Sequence, residues 1–291
     1  MTTARDVFFA SERTLRAPWR IIAFIVVSAI TYFLAAVLAG SVESVAGTFG
    51  MRLIVYTAVS TLALLVSTYV CVYWIDGRTW DFVRLGRASA QPSRLVAGTL
   101  MGALAIGVPS VLLLVTHELR IEPAPPGSWW DTALRAALLL IPAALTEELL
   151  LRGYIFVVLR ETIGWRWTLI GTSIVFGLLH TQNPGADAEA ITLVIIAGFF
   201  LGAIVLVTES LYAAWAAHFA WNWVMAGALH TAVSGAADQL GLVMSNYRVV
   251  DAGPDWLTGG AWGPEGGVAA GLGMFAFLFY LVGRHLNQSE R

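Results

Sequence analysis

Long apolar runs recur along the chain, and each is about 20 residues long. A run of that length crosses the hydrocarbon core of a bilayer as an α-helix. Because lipid offers no hydrogen-bond partners to the backbone, only helices and closed barrels span membranes. The short alternating segments of a membrane barrel are absent from this sequence. The runs therefore predict an all-α fold, a polytopic bundle of transmembrane helices in contact with the lipid bilayer.

The composition agrees with a membrane protein and excludes several other classes. Hydrophobic residues make up 58% of the chain and charged residues 12%, about half the charged fraction of a soluble domain. The net charge of −2 carries no basic footprint, so we expect no nucleic-acid partner. The single cysteine, Cys71, lies inside an apolar run, which excludes an intrachain disulfide and a cysteine-based metal cluster.

Apolar runs predict about eight spans. They cover residues 21–38, 53–74, 95–115, a stretch within 132–159, 168–180, 191–207, 211–229 and 268–282. The first is longer than the apolar core of a signal peptide, so we expect it to be retained as an anchor. No linker or repeat divides the chain. We therefore expect a single membrane domain over residues 1–291, with residues 1–20 as a cytoplasmic N-terminal segment.

Arginine placement orients the predicted bundle. With eight spans, most arginines fall on the side of both termini, and the other side receives Arg52, Arg120, Arg135 and Arg248. Loops rich in arginine face the cytoplasm. The sequence thus predicts a multi-pass protein of the cell membrane with both termini in the cytoplasm and the long loop 231–267 at the outer surface.

Ionisable residues inside spans are costly and usually mark function, and here they are confined to the second half of the chain. Glu148 and Arg152 are four residues apart, so on a helix they share a face and can neutralise each other. Glu147 points about 100° away and has no partner at that spacing. An unpaired carboxylate of this kind is a candidate general base or metal ligand. The alternative is a charge cluster that only braces the helix.

Two further polar motifs follow on later spans. His180 ends the fifth span, with Phe176 one turn before it, and either residue could be ordinary packing at a span end. His218 and Asn222 are four residues apart on one helix face. They could donate hydrogen bonds to an oxyanion or form a polar clamp between helices. Together with Glu147, these residues supply a base, a water-polarising partner and oxyanion donors, which amide hydrolysis requires.

The three motifs, in this order, resemble those of the CPBP family, the CAAX proteases and bacteriocin-processing membrane enzymes also called Abi. The matching residues stand as Glu147-Glu148-x-x-x-Arg152, Phe176-x-x-x-His180 and His218-x-x-x-Asn222. The resemblance covers about residues 130–230, which it identifies as a catalytic core. The stretch 258–266 also resembles a loop of some bacterial members.

The resemblance implies an intramembrane endopeptidase acting on a membrane-anchored peptide or protein substrate. In that family pattern Glu147 activates water with help from His180. The oxyanion is then stabilised by His218 and Asn222. The remaining motif residues would support the site, with Glu148 and Arg152 setting its electrostatics and Phe176 its shape.

Two histidines and one glutamate would also form a zinc set. We favour a metal-free glutamate mechanism with no cofactor, because Glu147, His180 and His218 lie on three helices without a close His-x-x-x-His pair. Counted from the cytoplasmic starts of their spans, His218 lies about 10 Å deep and His180 roughly 20 Å. The two meet only if helices tilt, shift or begin elsewhere.

Two other functions compete with the peptidase. A catalytically silent scaffold or a bacteriocin self-immunity protein could keep the same fold. A transporter could use glutamate and histidine to relay protons, but it would place polar residues or broken helices in both halves. The polar residues here occupy one half only, so the transporter ranks last.

Overall fold

The computed structural model describes residues 7–11, 14–43, 49–236 and 246–289, and helices dominate these ranges. In chain order they are α1 Ala17–Glu43, α2 Phe49–Tyr69, α3 Pro92–Val115, α4 Trp129–Glu148, α5 Tyr154–Leu179, α6 Ala188–Thr208, α7 Leu211–Trp223, α8 Asp255–Thr258 and α9 Val268–Ser289. Each predicted span falls on one of the long helices, and the all-α membrane bundle is confirmed. Parts of the predicted N-terminal segment and of the 231–267 loop lie outside the described residues.

Within the described residues, five helical segments are long and apolar enough to cross a membrane. They are Ala17–Gly40, Arg52–Ile75, Pro92–Val115, Ala188–Thr208 and Val268–Asn287. Helices α4, α5 and α7 are not among them, and these helices carry most of the candidate polar residues. Most candidate site residues therefore lie on helices outside this set.

Three helices continue into π-helical turns: α2 into Val70–Ile75, α4 into Leu149–Gly153 and α7 into Val224–Leu229. A π turn holds an extra residue and is common at functional sites. The second of these turns joins α4 directly to α5 and follows Glu147 and Glu148. The third follows Asn222. The fourth predicted span is thus part of a longer continuous helical segment, formed by α4, the π turn and the first arm of α5.

Helix α5 folds back on itself at Gly164. This residue has φ 79° and ψ 167°, a region open essentially to glycine alone. Arg152 and Phe176 are each twelve residues from Gly164, and the Arg152 Cζ atom lies 4.2 Å from the Phe176 ring centroid. The two arms therefore run antiparallel. The short fifth span is the returning arm.

Helix α7 packs closely against α3 because α3 presents two glycines one turn apart. A Cβ atom on Gly98 would overlap the carbonyl of Ala213, and one on Gly102 would overlap the carbonyl of Ala217. Small residues at this spacing let helix backbones approach closely in membranes. This contact fixes α7 from the side opposite its polar residues.

A small sheet departs from the all-helical expectation. Strands β1 Leu119–Pro123 and β2 Tyr247–Asp251 pair antiparallel, with Leu119 opposite Asp251. The long loop predicted for 231–267 thus contributes a strand and the short helix α8. This β-ribbon lies at the end of the bundle opposite the Gly164 fold-back, where α3 ends and α4 begins.

Candidate active site

Glu147 is the meeting point of the candidate catalytic residues. Its Oε2 atom lies 3.9 Å from His180 Nε2 and 3.7 Å from His218 Nε2. The Glu147 side chain is 39% exposed, whereas its Oε2 atom is buried and has no hydrogen-bond partner in the described part of the chain. The fold-back explains the meeting: Glu147 lies 17 residues before Gly164 and His180 lies 16 residues after it. Arms of nearly equal rise, about 25 Å each, return His180 to the level of Glu147.

His180 is held by its own helix. Its Nδ1 atom lies 2.8 Å from the Phe176 carbonyl oxygen. A carbonyl can only accept, so Nδ1 carries the proton and donates it. In the neutral ring, Nε2 is then an acceptor directed at Glu147. The Phe176 ring packs 4.8 Å from the His180 ring, centroid to centroid.

His218 is held by a carboxylate. Its Nδ1 atom lies 2.9 Å from Glu148 Oε1, and the same oxygen accepts a hydrogen bond from Arg152 Nη1 at 3.0 Å. The side chains of Glu148 and Arg152 are fully buried. Arg152 Nη2 also donates to the Gly198 carbonyl of α6 at 3.3 Å. Glu148 thus pairs with Arg152, as its spacing predicted, and also orients His218.

Phe176 packs between the buried Arg152 guanidinium and the two histidine rings. Its ring lies under the Arg152 guanidinium on one side and 5.9 Å from the His218 ring, centroid to centroid, on another. A cation over an aromatic face is stabilised electrostatically. Phe176 therefore contacts Arg152 and both histidines. These contacts go beyond the ordinary packing at a span end, which was one interpretation of the sequence.

Asn222 lines the same cavity one turn after His218. Its side chain is half-buried and forms no hydrogen bond to another residue in the described ranges. The cavity has a volume of about 160 Å³. It lies between α4, α5, α6 and α7. Its polar wall includes all four candidate catalytic residues, Glu147, His180, His218 and Asn222.

Comparison with known proteins bears on this segment. A family model described as type II CAAX prenyl endopeptidase, Rce1-like, matches residues 129–224. That part of the chain is similar to this family. The match covers about a third of the chain, from the first residue of α4 into the π turn after α7, and contains the four candidate catalytic residues. No curated protein and no solved structure matches the chain.

The chain is therefore a multi-pass membrane protein with a peptidase segment of the CAAX prenyl endopeptidase type. Within this segment, two tryptophans of α7 fix the site. Trp215 Nε1 donates to the Ile141 carbonyl at 2.9 Å, and Trp223 Nε1 donates to the Ala133 carbonyl at 3.1 Å. The two contacts lie on either side of His218 and Asn222, so α7 is tied to α4 above and below its polar residues.

The CAAX-type segment does not complete the cavity alone. Asn183, Ser234 and Glu265 also line it, and the last two lie beyond the family match. Sequence analysis did not single out these residues for a role. The available signal was the resemblance of the stretch 258–266 to a loop of bacterial CPBP members.

The zinc alternative can be tested against the donor set. The Nε2 atoms of His180 and His218 and one Glu147 oxygen converge, but no three His, Cys, Asp or Glu side chains in the described ranges are arranged to hold a metal ion. The oxygen–nitrogen distances of 3.7 and 3.9 Å are longer than direct hydrogen bonds and leave room for a water molecule shared between these groups. The metal-free glutamate mechanism therefore stays the preferred prediction.

Proposed function

We propose that the chain is an intramembrane glutamate endopeptidase that hydrolyses a peptide bond of a membrane-anchored peptide or protein. One observation carries the proposal: the Nε2 atoms of two histidines on different helices lie within 3.9 Å of the same Glu147 oxygen, at the wall of a cavity. The cavity has an apolar side as well, which includes Leu140, Phe200 and Leu201. A membrane-anchored segment matches such a wall.

In the proposed first step, a water molecule lies between Glu147 and His180. Glu147 takes a proton from this water, and the water oxygen forms a bond with the substrate carbonyl carbon. His180 orients the water because its Nε2 atom is a free acceptor. The substrate carbonyl oxygen becomes an oxyanion.

The oxyanion is stabilised by His218 and Asn222. Since His218 Nδ1 donates to Glu148, His218 Nε2 can donate only from the doubly protonated ring. That ring supplies a second positive charge, which together with Arg152 balances the carboxylates of Glu147 and Glu148. Glu147 then returns its proton to the leaving nitrogen as the carbon–nitrogen bond breaks.

Cleavage in proteoliposomes of a library of membrane-anchored peptides tests this function. Wild type, Glu147→Gln, Glu148→Gln and the control Glu189→Gln, at a half-buried residue that does not line the cavity, would be compared with and without chelator. We expect Glu147→Gln to abolish cleavage, Glu189→Gln to cleave like wild type and chelator to change nothing. Chelator-sensitive cleavage would establish the zinc alternative. Folded wild type that cleaves no peptide would favour the scaffold or immunity protein.

We also propose that both termini face the cytoplasm, because most of the described arginines lie near the end of the bundle that holds the Gly164 fold-back, and fewer lie at the β-ribbon end. Cysteines introduced at exposed Ala88 and Ile121, in a Cys71→Ala background, test this orientation. On intact cells an impermeant maleimide should label Ile121→Cys on the β-ribbon and leave Ala88→Cys unlabelled. The reverse pattern would invert the topology.

A further inference from the structure

Glu265 is a nearly buried carboxylate at the wall of the catalytic cavity, 9% exposed. Its hydrogen bonds come from neutral donors: Trp221 Nε1 at 2.8 Å, and the backbone nitrogen and hydroxyl of Ser234 at 2.6 and 2.7 Å. No arginine forms an ion pair with it within the described part of the chain. A buried carboxylate without a cation is costly. The cost of burying the Glu265 carboxylate beside the cavity suggests that this side chain has a role there.

The hydrogen bonds of Glu265 join two parts of the molecule. Trp221 lies on α7 directly before Asn222 and three residues after His218. Ser234 lies in residues 231–236, which together with residues 258–267 we name the cap. Glu265 therefore ties the cap to the turn of α7 that carries the proposed oxyanion donors.

Ser234 is fixed from the other side as well. Its carbonyl accepts a hydrogen bond from Asn183 Nδ2 at 3.2 Å, and its φ is +48°, an uncommon value for a residue with a side chain. The next residue, Gly235, donates its backbone N–H to the Trp262 carbonyl at 2.9 Å. A Cβ atom on Gly235 would overlap the carbonyl of Pro184. The cap thus packs, backbone against backbone, over one end of the cavity.

We propose that Glu265 is a positioning residue of the peptidase site, holding the cap so that Ser234 and Asn222 bound the substrate cavity at a fixed separation. This inference rests on the proposed function. It adds that cleavage also requires the cap, which lies outside the family match at residues 129–224. A substrate carbonyl must lie within about 3 Å of the oxyanion donors, and a misplacement of about 1 Å can cost on the order of 100-fold in rate.

Glu265→Gln tests the carboxylate. A glutamine has one acceptor oxygen, so its amide NH₂ must face either Trp221 or Ser234, both of which donate. Trp221→Phe removes one of these donors and keeps an aromatic ring. We expect Glu265→Gln to lower kcat/KM roughly tenfold or more. We expect the double variant Glu265→Gln/Trp221→Phe to have a higher kcat/KM than the product of the two single effects predicts. In the double variant the glutamine oxygen can face Ser234, and its NH₂ group no longer faces the indole N–H of Trp221.

A second readout does not depend on activity. Val233 lines the cavity and is 6% exposed, so a cysteine there, in a Cys71→Ala background, reports how firmly the cap is held. Maleimide should label Val233→Cys faster when Glu265→Gln is added and at nearly the original rate in the double variant. Glu122→Gln, on the exposed β-ribbon, is the matched control and should leave the labelling rate unchanged.

The two readouts separate the outcomes. Faster labelling with lower kcat/KM, and recovery of both by Trp221→Phe, supports the inference. Unchanged labelling in Glu265→Gln overturns the role of Glu265 in holding the cap, and faster labelling at unchanged kcat/KM overturns its role in positioning. If wild type and Glu147→Gln cleave equally, the proposed peptidase fails, while the labelling rates still decide whether Glu265 holds the cap.

Discussion

Two histidines face one carboxylate in this site, and their Nδ1 atoms have different partners. His180 donates from Nδ1 to a neutral carbonyl, whereas His218 donates from Nδ1 to the carboxylate of Glu148. A carboxylate partner stabilises the doubly protonated ring, and a carbonyl partner does so much less. The same residue type can therefore accept a hydrogen bond from water at one position and donate one to an oxyanion at the other, and the proposed reaction needs both.

Asn222→Ala should lower kcat on the order of 100-fold and leave KM nearly unchanged. The Asn222 amide has no protein partner in the described ranges, so it is available to an oxyanion that exists only in the transition state. Steady-state kinetics in proteoliposomes measures both constants. Gln182→Ala, an exposed residue of the same end of the bundle, is the control. A rise in KM at constant kcat would assign Asn222 to substrate binding instead.

Arg152→Met should destabilise the protein by about 3–5 kcal/mol, because it leaves the buried Glu148 carboxylate without its guanidinium partner. The double variant Arg152→Met/Glu148→Gln should recover part of this loss, since both charges are removed together. Reversible unfolding in mixed micelles gives the free energies of unfolding. Equal stability of Arg152→Met and wild type would contradict the view that the pair neutralises itself.

At the scale of elements, the site depends on a helix that reverses direction. Apolar runs predicted the helices well, because runs of membrane length are a strong pattern. The same pattern implied a reversal between the fourth and fifth spans, but it could not show that the reversal occurs at Gly164 between two helical arms, since a single glycine between apolar runs also suits an ordinary loop. Depths counted from span ends kept His180 and His218 apart, whereas in the structure both lie within 3.9 Å of Glu147, His180 on the returning arm and His218 on α7.

Gly164→Ala should reduce both stability and cleavage. The backbone of Gly164 occupies a region that costs a residue with a Cβ atom roughly 1–3 kcal/mol. Relief of that strain would rotate one arm and move His180 away from Glu147. Gly171→Ala is a control on the same helix, because a Cβ atom there meets no other atom within 4 Å. The free energy of unfolding and the rate of peptide cleavage should both be lower for Gly164→Ala than for Gly171→Ala. Equal values for the two variants would argue against the fold-back.

At the scale of the whole molecule, the catalytic segment is supported by helices and a cap outside it. The motifs identified the four candidate catalytic residues because each motif is local in sequence. The bond between Glu148 and His218 joins residues 70 positions apart, and Glu265 lies in a glycine-rich stretch without helical periodicity. Neither could be predicted, because both depend on how distant segments pack.

Gly102→Ala in α3 should destabilise the protein by about 1–3 kcal/mol and lower cleavage, although α3 lies outside the family match. The added Cβ atom would push α3 away from the α7 backbone at Ala217, one residue before His218. Gly107→Ala is the matched control on α3, since its Cβ atom would meet the Val224 side chain at an ordinary 3.9 Å. Thermal unfolding in detergent and the cleavage assay measure both variants. Equal stability and cleavage of Gly102→Ala and Gly107→Ala would contradict the packing effect.

The near-equal lengths of the two arms around Gly164 constrain how this protein can diverge. A residue inserted in one arm alone would shift its far end by about 1.5 Å and turn it by about 100°, which removes His180 or Glu147 from the cavity. A compensating insertion in the other arm cannot restore the rotation of both side chains at once. Active descendants of this sequence are therefore expected to keep the number of residues between Glu147 and His180 fixed, even where residues other than Glu148, Arg152, Gly164 and Phe176 change.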